Sequence, residues 1–539
     1  MVMKNTATLA ALLLAGSVSA AWAKTDCTTD ALNALHVAGV HVTQATATTA
    51  TDTLPAHCAV QGTIETNGEA APPGSARFAL QLPDTWQQRF LLMGVGGNAG
   101  TLTPAVNATD RLSALGKGYA VIVQDSGHAG NGTDAAWLRT TDGKPDRAKM
   151  VDFQYRAAHD VTVTGKELVQ AYYAAPVQHA YFDGCSTGGR MAMMEAERYP
   201  TDFNGIIAGD PAMDYHSTLL RFMVEKAALA SPAAYLSPDT LRLVDKLVTD
   251  RCDAIDGATD GLVQNPALCP VKPSDLVCHD GPTTDCLTPE QGLVLQAYTT
   301  PLHDRHGNFL YPGWAITNLS GPRGMSYWST GTAAPDLTQP EAPWGNDPEA
   351  APRGWTFARQ ALSFWMGMGP EQSMLALDID PKTSTIGDEL VAATDETFGP
   401  AETKDATKLL PFIQQGRKLI IYHGTSDPAI PAARSVLFYN DLANTAHSMA
   451  AAQANVRLFL VPGMQHCSGG IGPDQFDTLS AIEAWAEQGK APDAIPASTK
   501  SDSPTPHNLP LCPYPAQARY AGKGPLTDAS NWACATPAN

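Results

Sequence analysis

Short apolar runs at 77–82, 89–95, 119–124, 177–182 and 203–208 are rich in Val, Ile, Phe and Tyr, and read as strands. Between them, 151–173 carries helical spacing and 191–198 is dense in helix formers. Strands alternating with helices predict an α/β fold with a mainly parallel sheet. The alternation stops at Gly209-Asp210-Pro211 and resumes with a helix over 405–415, a strand over 417–422, a helix over 430–442, a strand over 456–461 and a helix over 473–488. The intervening stretch has a different texture. It holds six prolines between Pro322 and Pro352, four clustered cysteines, and Trp314, Trp328, Trp344, Trp355 and Trp365. This predicts an inserted lid domain over 213–400, dividing a main domain into 24–212 and 401–539. Most of its aromatic residues are expected to form its own core, with one or two lining a pocket for a flat substrate. The Thr- and Ala-rich stretch 24–75 is expected to cap the main fold. The Pro-rich tail from Pro492 is expected to be irregular and tied down by Cys512 and Cys534.

Composition narrows the setting. The chain of 539 residues carries a net charge of −19, which argues against a nucleic-acid partner, and no basic block suggests a membrane surface. Lys4, the apolar run 9–18 and Ala21-Trp22-Ala23 read as a signal peptide over 1–23, with a mature chain from Lys24 that is secreted or periplasmic. No later run is long and apolar enough to cross a bilayer. The ten cysteines (Cys27, Cys58, Cys185, Cys252, Cys269, Cys278, Cys286, Cys467, Cys512 and Cys534) are an even set without a C-x-x-C, which suits disulfides rather than a zinc ribbon or a redox pair. Spacing alone leaves the connectivity open, with Cys252/Cys269 and Cys278/Cys286 as the natural neighbours.

The chemistry centres on Gly184-Cys185-Ser186-Thr187-Gly188, a G-x-S-x-G between an apolar strand and a helix-forming run. That context defines a nucleophile elbow, a turn so sharp that its flanks need glycine. Ser186 is then held clear of the sheet at the positive end of a helix. A serine nucleophile needs a base, and the base an orienting acid. Strand 417–422 leads into His423-Gly424-Thr425-Ser426-Asp427-Pro428, and strand 456–461 into Pro462-Gly463-Met464-Gln465-His466-Cys467. The order Ser186, Asp427, His466, each just past a strand's carboxyl end, is the order of an α/β-hydrolase. Asp210 is a rival acid, and His128, His159 and His423 are rival bases, although His423 is better placed to brace the loop presenting Asp427. The Gly-rich run after strand 89–95, Gly96-Gly97-Asn98-Ala99-Gly100, suits an oxyanion loop, because backbone N–H groups approach a substrate oxygen only where side chains are absent. Were Cys185 and Cys467 to pair, Ser186 and His466 would be held within roughly 15 Å by covalent bonds alone.

The set Gly-Cys-Ser-x-Gly-Gly-Arg, His-Gly-x-x-Asp-Pro and Gly-x-x-His-Cys resembles the tannase and feruloyl esterase family over nearly the whole mature chain. The resemblance implies an α/β-hydrolase fold with a large inserted lid domain and a Cys185–Cys467 bridge. It implies a Ser186–Asp427–His466 triad and an oxyanion hole from the N–H groups of Gly97 and Thr187. The implied activity is that of a serine carboxylesterase on small aromatic esters, of ferulate or gallate type. The family includes a terephthalate-monoester hydrolase, which has Glu after its nucleophile where this chain has Thr187; that difference favours phenolic-acid esters here, with the terephthalate monoester as the alternative. A non-catalytic extracellular binding protein on the same scaffold is the third reading.

Within the insertion, Cys252 to Leu262 is acidic and punctuated by glycine. Three carboxylates on a short turn repel one another unless a hard cation lies among them, although the spacing is not that of an EF-hand. By resemblance, Asp253, Asp256 and Asp260, with the carbonyls of Ala258 and Leu262, would hold a structural calcium ion.

Overall fold

The computed structural model describes residues 24–279, 281, 284–345, 347, 349–369 and 372–537; the expected signal peptide lies outside them. Nine strands form one sheet: β1 (Val40–Thr48), β2 (His57–Thr66), β3 (Gly74–Pro83), β4 (Arg89–Met93), β5 (Tyr119–Gln124), β6 (His179–Cys185), β7 (Gly205–Gly209), β8 (Lys418–Gly424) and β9 (Val456–Val461). Their order is β1-β2-β3-β5-β4-β6-β7-β8-β9. The pairs from β5 to β9 are parallel, and β1/β2, β2/β3 and β3/β5 are antiparallel. This is an α/β-hydrolase fold.

The sequence explains which strands sit where. β5 (YAVIVQ) is buried at every position and β8 (KLIIYHG) at all but its first. Successive side chains point to opposite faces, so both faces of the parallel region are covered. Helices Ala157–Tyr173, Thr187–Arg198 and Thr478–Gln488 supply much of that cover. β2 and β3 alternate buried and exposed positions, as an antiparallel flank with one wet face requires.

Two expectations for the chain ends are corrected. Residues 24–75 are not a cap: β1 and β2 run through them and extend the sheet by antiparallel pairing. Short Thr-rich alternation hid this edge, since Thr suits strands without marking a core face. Nor is the tail irregular. Ile495–Ser498 pairs with Gln475–Phe476 and with Asn508–Leu511, and Gln517–Tyr520 pairs with Trp532–Ala535. Proline is tolerated there because these strands are short and Pro496 is paired on one side only, opposite Pro510, since Gln475–Phe476 reaches no further than Ala497 and Ser498.

The chain leaves the sheet after β7 and returns at β8. Between them a second buried cluster forms around Leu219, Phe222, Val244, Tyr298, Trp314 and Trp355, separate from the core under the sheet. Five disulfides are present: Cys27–Cys58, Cys185–Cys467, Cys252–Cys269, Cys278–Cys286 and Cys512–Cys534. No helix among the described residues is long and apolar enough to cross a membrane.

Candidate active site

β6 ends at Cys185 and a helix starts at Thr187, leaving Ser186 alone on the turn at φ 62°. Non-glycine residues rarely adopt such a backbone, and the surroundings hold it there. Ser186 N–H donates to Gly209 O at 2.9 Å, and Ala212 N–H donates to Ser186 O at 3.2 Å. A Cβ on Gly184 would lie 2.4 Å from Gly188 O, so the G-x-S-x-G spacing follows from close backbone approach. The next residues lock the turn from behind. Arg190 is fully buried and donates to Phe153 O at 2.8 Å and Gln154 O at 2.7 Å, carbonyls of the π-helical turn Asp152–Arg156.

β8 and β9 deliver the other two side chains. His466 Nε2 lies 2.9 Å from Ser186 Oγ, and His466 Nδ1 lies 2.7 Å from Asp427 Oδ2. An ionised carboxylate only accepts, so Nδ1 carries the proton, and Nε2 is left to accept from the Ser186 hydroxyl. Asp427 Oδ1 accepts the N–H groups of Ala429 at 2.7 Å and Ile430 at 3.0 Å. Burial acts to raise the pKa of Asp427, but the charges and hydrogen bonds of His466 and His423 outweigh it and hold the carboxyl well below the usual carboxylate range.

The rival residues fall elsewhere. His128 bonds to Ser126 O and Asn98 O and stacks on Trp137, and burial pushes its pKa down to about 4. His159 pairs with Asp202 at 2.7 Å and stacks on Tyr199. His423 is fully buried; its Nε2 lies 2.9 Å from Ile430 O and 3.4 Å from Asp427 Oδ2, which braces the acid loop. Asp210 is fully buried behind the triad rather than against the base nitrogen.

The Cys185–Cys467 bridge, with Cα atoms 6.0 Å apart, joins the neighbour of the nucleophile to the neighbour of the base. A cavity of about 920 Å³ opens on Ser186 and His466, and Gly97 and Thr187 both line it. Gly97 has φ +61°, and a Cβ there would lie 2.1 Å from Gly132 O, so only glycine fits this loop. Thr187 opens a helix, where a first-turn N–H has no intrahelical acceptor.

The far wall of the cavity comes from the insertion. Trp328 meets the His466 ring edge to face, with centroids 5.2 Å apart. Trp365 stacks on Phe398 at 3.9 Å, and Phe398 on Tyr215 at 4.0 Å, and all three line the cavity. Trp314, Trp344 and Trp355 are buried in the insertion's own core.

Arg221 was not singled out from the sequence, because a lone Arg in a helical run carries no signal. It is buried and donates to Pro428 O at 3.1 Å and Ala429 O at 2.9 Å on the acid loop, and to Trp328 O at 3.1 Å on the cavity wall. Asn318 and Gln465 add further ties: Asn318 Nδ2 donates to Gly463 O at 2.7 Å, and Gln465 Nε2 to Ser320 O at 2.7 Å.

The acidic loop also belongs to the insertion. Asp253 accepts from Gly261 N–H at 3.0 Å, Asp256 from Ala258 N–H at 2.8 Å and Asp260 from Leu262 N–H at 3.1 Å. Asp256 Oδ2 and Asp260 Oδ2 are buried without a hydrogen-bond partner, and burial pushes the Asp256 carboxyl up to about 7. Buried carboxylate oxygens without donors fit a site for a hard cation.

Comparison with known proteins agrees with this geometry. A family model described as tannase and feruloyl esterase matches residues 58–535. The chain is 32% identical to a mono(2-hydroxyethyl) terephthalate hydrolase of Piscinibacter sakaiensis, over 92% of this chain and 87% of that protein. It is 28% identical to feruloyl esterase B of Aspergillus niger, over 84% and 82%. Among solved structures, feruloyl esterase B from Aspergillus oryzae superposes with a TM-score of 0.73 at 24% identity, over 93% of this chain and 97% of that one. Tannin acyl hydrolase from Aspergillus niger superposes with a TM-score of 0.70 at 20% identity, over 95% and 96%. These two likenesses establish the fold.

Proposed function

The chain belongs to the tannase and feruloyl esterase family and is a carboxylic ester hydrolase, and we propose that it is a secreted or periplasmic serine esterase acting on esters of phenolic acids such as ferulate or gallate. The observation that carries this reading is the continuous hydrogen-bonded path from Ser186 through His466 to Asp427, opening on a cavity walled by Trp328, Trp365 and Phe398. The five disulfides support an oxidising compartment.

In the proposed reaction His466 Nε2 takes the Ser186 proton as Oγ attacks the ester carbonyl carbon. Asp427 holds the ring tautomer and stabilises the imidazolium. The N–H groups of Gly97 and Thr187 receive the developing oxyanion. The tetrahedral species collapses as His466 returns the proton to the leaving alcohol oxygen. Water, deprotonated by the same nitrogen, then releases the acid from Ser186. The insertion forms the acyl pocket, where flat apolar rings suit an aromatic acid.

Calcium is the proposed structural ion of the insertion, held by the carboxylates of Asp253, Asp256 and Asp260 and the carbonyls of Ala258 and Leu262. When bound it neutralises a loop whose carboxylates otherwise repel. The ester chemistry proceeds through Ser186, His466 and Asp427 alone.

The second reading, a terephthalate-monoester hydrolase, is supported by the 32% identical relative of that name. A panel of methyl gallate, methyl ferulate and mono(2-hydroxyethyl) terephthalate separates the two. Methyl ferulate or methyl gallate is expected to show at least about tenfold higher kcat/KM than the terephthalate, a margin worth about 1.4 kcal/mol of transition-state binding; the reverse order establishes the second reading. Absence of any turnover, together with no burst from p-nitrophenyl acetate, leaves the non-catalytic scaffold.

A further inference from the structure

Asp210 is used by none of the steps above, yet it stands where the three catalytic loops meet. It follows β7 at φ +37°, a strained backbone for a non-glycine residue, and is fully buried. The chain on either side of it grips the nucleophile: Gly209 O accepts the Ser186 N–H at 2.9 Å, and Ala212 N–H donates to Ser186 O at 3.2 Å. Its own N–H donates to Tyr422 O on β8 at 2.8 Å. The carboxylate grips the other two loops. Oδ1 accepts the N–H of Gly424, where β8 turns into the acid loop, at 2.8 Å. Oδ2 accepts the N–H of Cys467, the residue after the base, at 3.2 Å, and packs 3.3 Å from Cys185 Sγ of the bridge. The imidazole within reach is that of His423, whose Nε2 lies 3.6 Å from Oδ1 and 3.4 Å from Asp427 Oδ2.

We propose that Asp210 is a positioning residue for the base: its carboxylate, partnered by His423, holds the backbone on both sides of the acid–base pair so that His466 Nε2 faces Ser186. A neutral apolar residue could not replace it, because the buried Gly424 amide and the part-buried Cys467 amide would lose their acceptors. The disulfide alone fixes only the separation of two Cα atoms; the Cys467 amide bond adds the orientation of the base loop.

The titratable groups facing Asp210 are His423 and Tyr422 from β8, Asp427 from the acid loop and His466 from the base loop. Burial and the Asp427 charge push the Asp210 carboxyl up to about 7 against the charges of His423 and His466, so what it gives the base loop is the two N–H bonds it accepts rather than a fixed charge.

This inference rests on the serine-esterase reading, and its test separates the two. Asp210→Asn keeps one acceptor but turns an amide donor toward the other N–H. With methyl ferulate and methyl gallate, kcat is expected to fall about 10- to 100-fold, as for a small misplacement of a catalytic group. KM should stay within about threefold, since Asp210 does not line the cavity. A burst of p-nitrophenol is retained, whereas Ser186→Ala abolishes both burst and turnover. Asp210→Ser, small enough to admit a water beside both amides, should likewise lower kcat with KM held. A folded variant with an unchanged kcat, or one in which KM rises as kcat falls, overturns the proposal.

Discussion

The cavity has two walls made by different means. The wall that carries the reacting groups comes from the sheet. Ser186, Asp427 and His466 each follow the carboxyl end of a parallel strand, and their places are set by backbone hydrogen bonds, glycine contacts and one disulfide. The opposing wall comes from the insertion between β7 and β8, where side chains make the surface: Trp328 against His466, and Trp365 with Phe398 and Tyr215. Backbone-built geometry survives wide changes of side chain, whereas a side-chain wall changes shape with each substitution. On the proposed reading the reaction therefore belongs to the sheet, and the choice of acid to the insertion.

Removing a group from the sheet wall should be the more damaging. Ser186→Ala is expected to lower kcat by roughly 10⁴-fold or more, the scale for losing a nucleophile that acts as part of a triad. Asp427→Asn should cost about 10⁴-fold, because an amide no longer fixes the His466 tautomer. It should also cost far more than Asp210→Asn; equal losses would mean that the acid has been assigned to the wrong strand. The depressed pKa of Asp427 gives the sign of its pH effect. A carboxyl held below its unfolded value stabilises the fold above about pH 4, and that contribution is lost as pH falls further. Asp427 thus stays ionised throughout the acidic limb of activity, which an active-site titration down to pH 5 would check.

The disulfide comes next. Cys185→Ser with Cys467→Ser leaves all three catalytic side chains in place but frees the base loop on one side. Turnover should fall about 10²-fold, the loss that follows a misplacement near 1 Å. Near-ultraviolet circular dichroism should still show packed aromatic residues, since the other four bridges and the core under the sheet remain. Unchanged turnover would show that backbone hydrogen bonds suffice to hold the loop.

The same contrast explains what could be read in advance. β5 and β9 were legible to the residue, and so were the turn at Ser186 and the meeting of Ser186, His466 and Asp427, because strand ends repeat a local pattern of apolar run, glycine and polar group. The insertion was legible only as a break in that pattern. Nothing in the sequence of 213–400 distinguishes Trp328, which meets the base, from Trp314, which stacks on Tyr298 inside the insertion's core. That distinction depends on tertiary packing without a period. Arg221 was illegible for the same reason, since its acceptors are carbonyls more than a hundred residues away. β1 was missed because an edge strand with one wet face carries a weak apolar signal.

Arg221 joins the two walls, so its loss should act on both. Arg221→Met keeps most of the apolar stem but strands the carbonyls of Trp328, Pro428 and Ala429, and leaves Glu225 buried beside them. Stability is expected to drop by about 3 kcal/mol, from buried acceptors left without donors. The urea midpoint measures this directly. Turnover should fall only about tenfold, because Ala429 and Ile430 still donate to Asp427. A loss of stability with kcat untouched would mean that the insertion and the acid loop are coupled in folding but not in catalysis.

The smallest expected effect lies furthest from the reacting atoms. The Asp253–Leu262 loop follows a helix of the insertion and is tied to the C-terminal strands, where His507 Nε2 lies 3.3 Å from Asp260 O. Removing calcium with a chelator should leave kcat at 25 °C within about twofold, since no catalytic side chain comes from this loop, but should lower Tm by several degrees. A ligand that binds only the folded state at 100 times its Kd contributes about 2.7 kcal/mol, and for a chain of this length 1 kcal/mol corresponds to a shift of about 2 °C or less. Asp256→Asn should lower Tm of the calcium-loaded enzyme and abolish its sensitivity to chelator. If the chelator instead removes turnover while Tm holds, the ion sits on the sheet side of the cavity, and the division of labour between the two walls fails.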